Sequence, residues 1–515
     1  MTDSNKFTNA IQTGYDCKGD YIVLGAAMLD GNAVEGLQVR APLKTFNRHG
    51  LIAGATGTGK TKTLQVIAEQ LSAKGVPVVL MDIKGDLSGV AQPGKTNTAI
   101  EERHAKIGVE WAAKGNPVEF LSLSKENGVR MRATVSEFGP VLFSKILALN
   151  DTQEGVVSIV FKYCDDKKMP LLDLRDFKKV MNYITDEGKK EVEENYGKVS
   201  TATTSTILRK IIELEQQGAE IFFGEKSFEV DDLVRMDENG CGIISILRLT
   251  DIQDKPKLFS TFMLSLLAEI YATFPEEGDA GRPKLVIFID EAHLIFEEAS
   301  KALLDQIETI IKLIRSKGVG IFFCTQNPAD VPDDVLAQLG MKVQHALRAF
   351  TAKDRKQIKL TAENYPLTDF YDTETLLTSL GMGEALVTVL NEKGIPTPLA
   401  ATLLQAPHSR MDVLTAQEIE TINNQSKLVK KYGEVIDRES AYEILSGKIN
   451  SVSAAATKTT APGNTINAPA SNEPSMVEKG VGAIGDFAKS SAGKVILREV
   501  TRGLLGVLGL GGRRR

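Results

Sequence analysis

Apolar residues along this chain gather in two alternating patterns. The first is a short, nearly unbroken apolar run: Val76–Ile83, Val118–Leu121, Gly242–Leu247, Leu285–Asp290 and Gly320–Thr325. Runs this short, with little polar alternation, predict strands of a parallel sheet covered on both faces. Val343–Arg348 and Ala385–Leu390 predict two more strands. Tyr21–Gly25 and Leu37–Val39 predict short strands leading into the core. The second pattern is helical spacing. It appears at Leu64, Ile67, Ala68 and Leu71, and again at Leu142, Ile146 and Leu149, then Ile207, Ile211 and Leu214. Strand, glycine-rich turn, helix and strand over residues 50–83 form one βαβ unit.

These elements divide the chain. Residues 1–45 are a β-rich lead-in, 46–137 and 236–445 a nucleotide-binding core, and 138–235 an inserted helical subdomain. Ser, Ala, Thr, Asn and Pro dominate 446–475, which reads as a disordered linker. Val481, Ile484 and Phe487, then Ile496, Val500, Leu504 and Leu508, predict an amphipathic tail helix within 476–515 that ends in three arginines. Such a helix docks on its own protein or a neighbour, or lies on an anionic membrane surface.

Composition changes little in this picture. With 42% hydrophobic and 25% charged residues, the chain reads as an ordinary globular protein whose core needs no disulfides. Its four cysteines (Cys17, Cys164, Cys241 and Cys324) form no CxxC pair, which argues against a zinc site or a disulfide framework. The first residues carry no basic and apolar signal pattern, and no apolar run is long enough to span a bilayer. A cytoplasmic location is the expectation. The net charge of −6 weighs against a broad nucleic-acid-binding coat, though not against a local basic channel.

The chemistry is concentrated at strand ends. Gly54-Ala55-Thr56-Gly57-Thr58-Gly59-Lys60-Thr61 matches G-x-x-x-x-G-K-[ST] between a strand and a helix. Glycines let the backbone curl around phosphates, and the helix N-terminus favours the anion. Lys60 reaches the terminal phosphates, Thr61 offers a hydroxyl to Mg2+, and Thr63 joins the nucleotide-binding set. Asp290 ends an apolar strand as a second magnesium ligand, and Glu291 is the expected general base. His293 either senses the γ-phosphate or opens the next helix. Gln326, at the end of another apolar strand, is placed to contact water or the γ-phosphate. Asp82 ends the strand after the phosphate loop, where it would support the metal or bind Lys60. The expectation is an α/β, RecA-like P-loop NTPase core with a mostly parallel sheet, binding ATP and Mg2+.

The segments GATGTGKT, VLMDIKGDLSG, LALNDTQEGV, EIFFGEKSFEVDDL, FIDEAHLIF, LIRSKGVGIFFCTQNPADVP and QHALRAFTAKD carry a resemblance. Over roughly residues 20–445 the chain resembles the HerA/FtsK superfamily of hexameric ATP-driven DNA motors, and within it the YjgR-like bacterial branch of HerA-like helicases. The resemblance implies a homo-oligomeric, hexameric ring. It also implies interface arginines, here Arg315 before the Gln326 strand and Arg48 before the first core strand, with Arg348 a further candidate. Such an arginine offsets transition-state charge. HerA proteins have an N-terminal β-barrel, and the expectation is that the chain before Gly50 is too short here for a full one. Lys353, Arg355, Lys356 and Lys359 either line a pore or form a solvated helix face. Two functional readings follow: an ATP hydrolase that moves along or unwinds DNA, and an oligomeric ATPase that acts on, or is regulated by, a protein partner.

Overall fold

The computed structural model describes residues 3–448, apart from 125, 279, 297–300, 435 and 437. The expected tail helix, and the expected linker beyond residue 448, lie outside the described residues; residues 441–448 are helical.

One sheet of twelve strands runs through the described residues. In chain order these are β1 (Tyr21–Leu29), β2 (Asn32–Pro42), β3 (Gly50–Ala53), β4 (Val78–Asp82), β5 (Val118–Ser122) and β6 (Val129–Arg130). They continue as β7 (Ile244–Arg248), β8 (Leu285–Ile289), β9 (Val319–Thr325), β10 (Met341–His345), β11 (Glu384–Thr388) and β12 (Ala400–Leu404). The spatial order is β2-β1-β12-β11-β10-β3-β9-β8-β4-β7-β5-β6. From β10 to β6 every pairing is parallel. The central strands β3, β4, β8 and β9 are buried along their whole length, as their unbroken apolar runs require.

The other edge is antiparallel. β11 pairs with β10 and β12, and β12 pairs with β1 of the β1–β2 hairpin. The lead-in strands are therefore continuous with the core sheet, closed by a strand from the far end of the chain. Gly25 makes this possible, because a Cβ there would sit 2.0 Å from the Leu403 carbonyl oxygen. Helix α1 (Asp3–Gly14) seals this edge with Phe7, Ile11 and, just beyond it, Tyr15, all buried. The Tyr15 hydroxyl donates to the carbonyls of Val387 and Pro398 at 3.0 and 2.7 Å.

Helix α2 (Lys60–Ala73) follows the glycine-rich turn, and Leu64, Ile67, Ala68 and Leu71 are buried as predicted. Its polar flank is covered too. Glu69 accepts from His408 N, Ser409 N and Ser409 Oγ, and Gln65 donates to Ser409 Oγ and the Arg410 carbonyl.

The chain folds as two compact units. The first, which holds the sheet, comprises Met1–Met131 and Phe228–Glu434, and the second comprises Arg132–Ser227 with the residues after Glu434. The second unit is helical: after α3 (Thr98–Ile107) of the first unit come α4 (Val135–Ile146), α5 (Asp151–Lys167), α6 (Leu174–Thr185), α7 (Lys189–Asn195), α8 (Thr201–Gln216) and α9 (Ala219–Phe222). Phe143 packs among Phe161, Phe177 and Phe223 at its centre. Ile207, Ile211 and Leu214 are buried, as their spacing predicts. In α4 the buried stripe is instead Phe138, Phe143 and Leu147, because Gly139 (φ 65) and Pro140 bend the helix and shift its phase. Residues beyond Glu434 return to this unit, where the Tyr442 amide donates to the buried Asp176 at 2.9 Å.

Candidate active site

β3 runs straight into the glycine-rich turn, and its neighbours β9 and β10 anchor that turn. Gly54 N donates to the Thr325 carbonyl at 3.3 Å, and Ala55 N to the Ala346 carbonyl at 2.9 Å. Gly54 lies at φ 148 and crosses His345 so closely that a Cβ would meet the histidine Cβ at 2.5 Å. Gly59, at φ 112, turns the chain into α2. Only glycine takes such angles without strain. Lys60 Nζ, largely buried, donates to the carbonyls of Gly54 and Ala55 at 2.6 and 3.2 Å. The ammonium thus lies inside the curl of the turn. Burial, with Lys84 as a like charge nearby, lowers its pKa. Thr61 is half-buried in the first turn of α2.

The expectation that the Gln326 strand neighbours the Asp290 strand holds: β9 lies between β3 and β8. The carboxyl ends of β3, β9, β8 and β4 therefore converge, which in open parallel sheets is where ligands bind. Asp290 and Glu291 follow β8 and are both buried. Among the described residues Asp290 Oδ2 has no hydrogen-bond partner, and burial beside Glu291 pushes its pKa up to about 7. An orphaned, desolvated carboxylate oxygen at this position fits a divalent cation. Among the described residues no three His, Cys, Asp or Glu side chains gather into a metal cage. Mg2+ held by Asp290, Thr61 and nucleotide phosphates matches that sparse donor set. Glu291 takes a left-handed backbone angle, φ 47, which costs a non-glycine residue about 1–3 kcal/mol. One of its oxygens pairs with Lys84, and the other lies 3.2 Å from His293 Nδ1. His293 opens a short helix and touches Glu291 at once.

Gln326 is exposed and accepts from the Thr56 hydroxyl of the glycine-rich turn at 3.3 Å. Asp82 is held within its own turn. Its carboxylate accepts from the amides of Gly85, Asp86 and Leu87 at 2.8, 3.1 and 3.2 Å. Burial raises its pKa to about 6, against those three amides. Asp82 shapes the turn that carries Lys84, while Lys60 bonds the loop's own carbonyls. Thr63, buried on α2, shares a 2.9 Å hydrogen bond with His345 Nε2, so it supports the loop from beneath. Burial and the Lys60 ammonium hold His345 down to about 4, hence neutral.

Arg48 and Arg315 come together, but elsewhere. Both line a cleft of about 920 Å3 with Lys44, Lys312 and Lys393. Arg48 precedes β3 and Arg315 precedes β9, so the cleft lies at the amino ends of the strands whose carboxyl ends carry the glycine-rich turn. The four residues of β3 alone span roughly 13 Å. Arg348 is exposed and donates to the Thr378 carbonyl at 3.3 Å. Lys353, Arg355, Lys356 and Lys359 are exposed on the helix Ala352–Glu363. Sequence reasoning did not assign Lys84 or His345. Each was an isolated residue at a strand end, and only the sheet order supplies its partner.

Known proteins resemble this chain in sequence and in fold. The chain is 21% identical over 369 residues to the DNA double-strand break repair helicase HerA of Sulfolobus acidocaldarius, covering 70% of this chain and 66% of that one. The chain thus spans just under two thirds of that relative's length. It is 24% identical over 393 residues to the DNA import protein CedB of the same organism, covering 75% and 57% of the two chains. Its fold matches the bacterial conjugative coupling protein TrwBdeltaN70 with a TM-score of 0.50 at 15% identity, over 79% of this chain and 95% of that one. A family model described as helicase HerA-like C-terminal matches residues 28–515, and the chain belongs to that family.

Proposed function

We propose that this chain is a Mg-ATP-hydrolysing motor of the HerA/FtsK type that assembles into a hexameric ring and translocates along DNA. The observation that carries the reading is the convergence of the glycine-rich turn, Asp290, Glu291 and Gln326 at adjoining strand ends. The turn and Lys60 hold the triphosphate. Thr61 and Asp290 hold Mg2+, which neutralises phosphate charge. Glu291 orients and deprotonates the attacking water, and Gln326 links that water to Thr56 of the phosphate loop. His345 and Thr63 keep the loop in shape.

Arg48 and Arg315 act across a subunit boundary. Their position at the strand ends opposite their own phosphate loop supports this reading, in which the anion they meet is a neighbouring subunit's nucleotide. Relatives named as a DNA repair helicase and a DNA import protein support DNA as the track. The acidic balance of the chain, with net charge −6, favours the other reading, an ATPase that works on a protein partner.

One experiment separates the two. ATP turnover of the full chain is measured with and without DNA over a range of salt concentrations. A DNA motor is stimulated at low salt and loses the stimulation steeply as salt rises. Absent stimulation, with no retention of DNA at low salt, favours the protein partner.

A further inference from the structure

The turn after β4 is built to a single shape. Asp82 accepts three backbone amides across it, Gln253 Nε2 donates to the Ile83 carbonyl at 2.5 Å, and a Cβ on Gly85 (φ 78) would meet Thr250 Cγ2 at 2.8 Å. The product of this bracing is one side chain's position. Lys84 is carried to the Asp290–Glu291 pair, where its ammonium engages Glu291 Oε1. Glu291 is 6% exposed at this contact and Lys84 41%. The lysine reaches in from the open side.

This contact is at odds with a free base. A carboxylate held by an ammonium has an oxygen fewer to offer water. The second oxygen of Glu291 faces His293 Nδ1 at 3.2 Å. Lys84 also stands close enough to Lys60 for the two like charges to interact. Two ammoniums flanking one carboxylate pair suit a site that receives a polyanion. A triphosphate carries more negative charge than a single carboxylate and competes for Lys84.

We propose that Lys84 is a γ-phosphate ligand that Glu291 occupies until ATP enters. ATP draws the ammonium onto its terminal phosphate and frees Glu291 to hold water. ADP has no group to draw it and leaves Glu291 paired. The proposal rests on the reading of Glu291 as the base and of the glycine-rich turn as the ATP site.

The test is calorimetric binding of two Mg2+-nucleotides, a non-hydrolysable ATP analogue with an intact γ-phosphate and ADP, to the full chain. Lys84→Met is expected to weaken the analogue about ten- to a hundredfold, while ADP changes by less than about twofold. Lys84→Arg keeps the cation and restores most of the difference. Lys84→Gln serves if the methionine variant does not fold. Glu291→Gln removes the competing charge and tightens the analogue several-fold without affecting ADP. Equal weakening of both nucleotides by Lys84→Met or Lys84→Gln, or no weakening of either, overturns the proposal, as does an unchanged analogue affinity in Glu291→Gln. These readouts need no turnover. If Glu291→Gln keeps hydrolysing ATP, the assignment of the base fails on its own.

Discussion

His345 is one residue that keeps the phosphate loop in place, and its protonation tests that role. It touches Gly54 too closely for any side chain there, and it shares a hydrogen bond with Thr63. Its pKa falls from an ordinary 6.5 to about 4 on folding. Between those values the unfolded chain binds the extra proton, so this histidine's contribution is present above pH 6.5 and shrinks as pH falls towards 4. The full shift corresponds to about 3 kcal/mol. Asp82 and Asp290, with raised pKa values, push stability the other way over overlapping pH, so the wild-type profile alone does not isolate His345. The difference between wild type and His345→Gln does. Thermal unfolding measured from pH 7.5 to 4.5 is expected to show the wild-type advantage narrowing as pH falls. A constant gap would place the histidine's effect in packing alone.

At the scale of elements, the docking of α1 shows what the sequence made legible and what it hid. Phe7 is fully buried, with its ring 5.3 Å from Phe370 and 5.9 Å from Tyr371. Phe7→Ala is expected to lower stability by about 3–5 kcal/mol, read from denaturant unfolding. A loss below about 1 kcal/mol would mean that α1 is only loosely attached. The spacing of Phe7, Ile11 and Tyr15 carries the helical signal, but polar neighbours obscure it. The central strands were legible because burial on both faces leaves little room for polar residues. β12 was not. Ala400–Leu404 is short, and its place between β11 and β1 is a long-range pairing that no local pattern records. In α4, a bend at Gly139 moved the buried stripe off the regular spacing. The candidate site follows the same rule. Gly54 to Thr61, Asp290, Glu291 and Gln326 declare themselves by motif or by strand end. Asp82 is visible as a residue, yet its bonds to three amides depend on a turn geometry that spacing does not encode.

At the scale of the whole molecule, the proposed ring has a testable consequence, because Arg48 and Arg315 line a cleft at the strand ends opposite their own phosphate loop. A subunit carrying Arg315→Ala keeps an intact loop, and one carrying Lys60→Ala keeps an intact arginine. Each alone is expected to be inactive, and mixing the two is expected to restore partial turnover. No recovery at any ratio, with assemblies intact by light scattering, would mean that the arginine does not act across subunits.

ATP hydrolysis at the strand ends around Gly54, Asp290 and Glu291 is the chemistry proposed for this chain. Steady-state Mg-ATP turnover of wild type and Glu291→Gln, with ATP binding measured on the same samples, tests this most directly. The expected result is wild-type turnover that falls at least about a hundredfold in the variant while ATP binding persists. A wild type without turnover, or a variant that hydrolyses ATP at the wild-type rate, would contradict it.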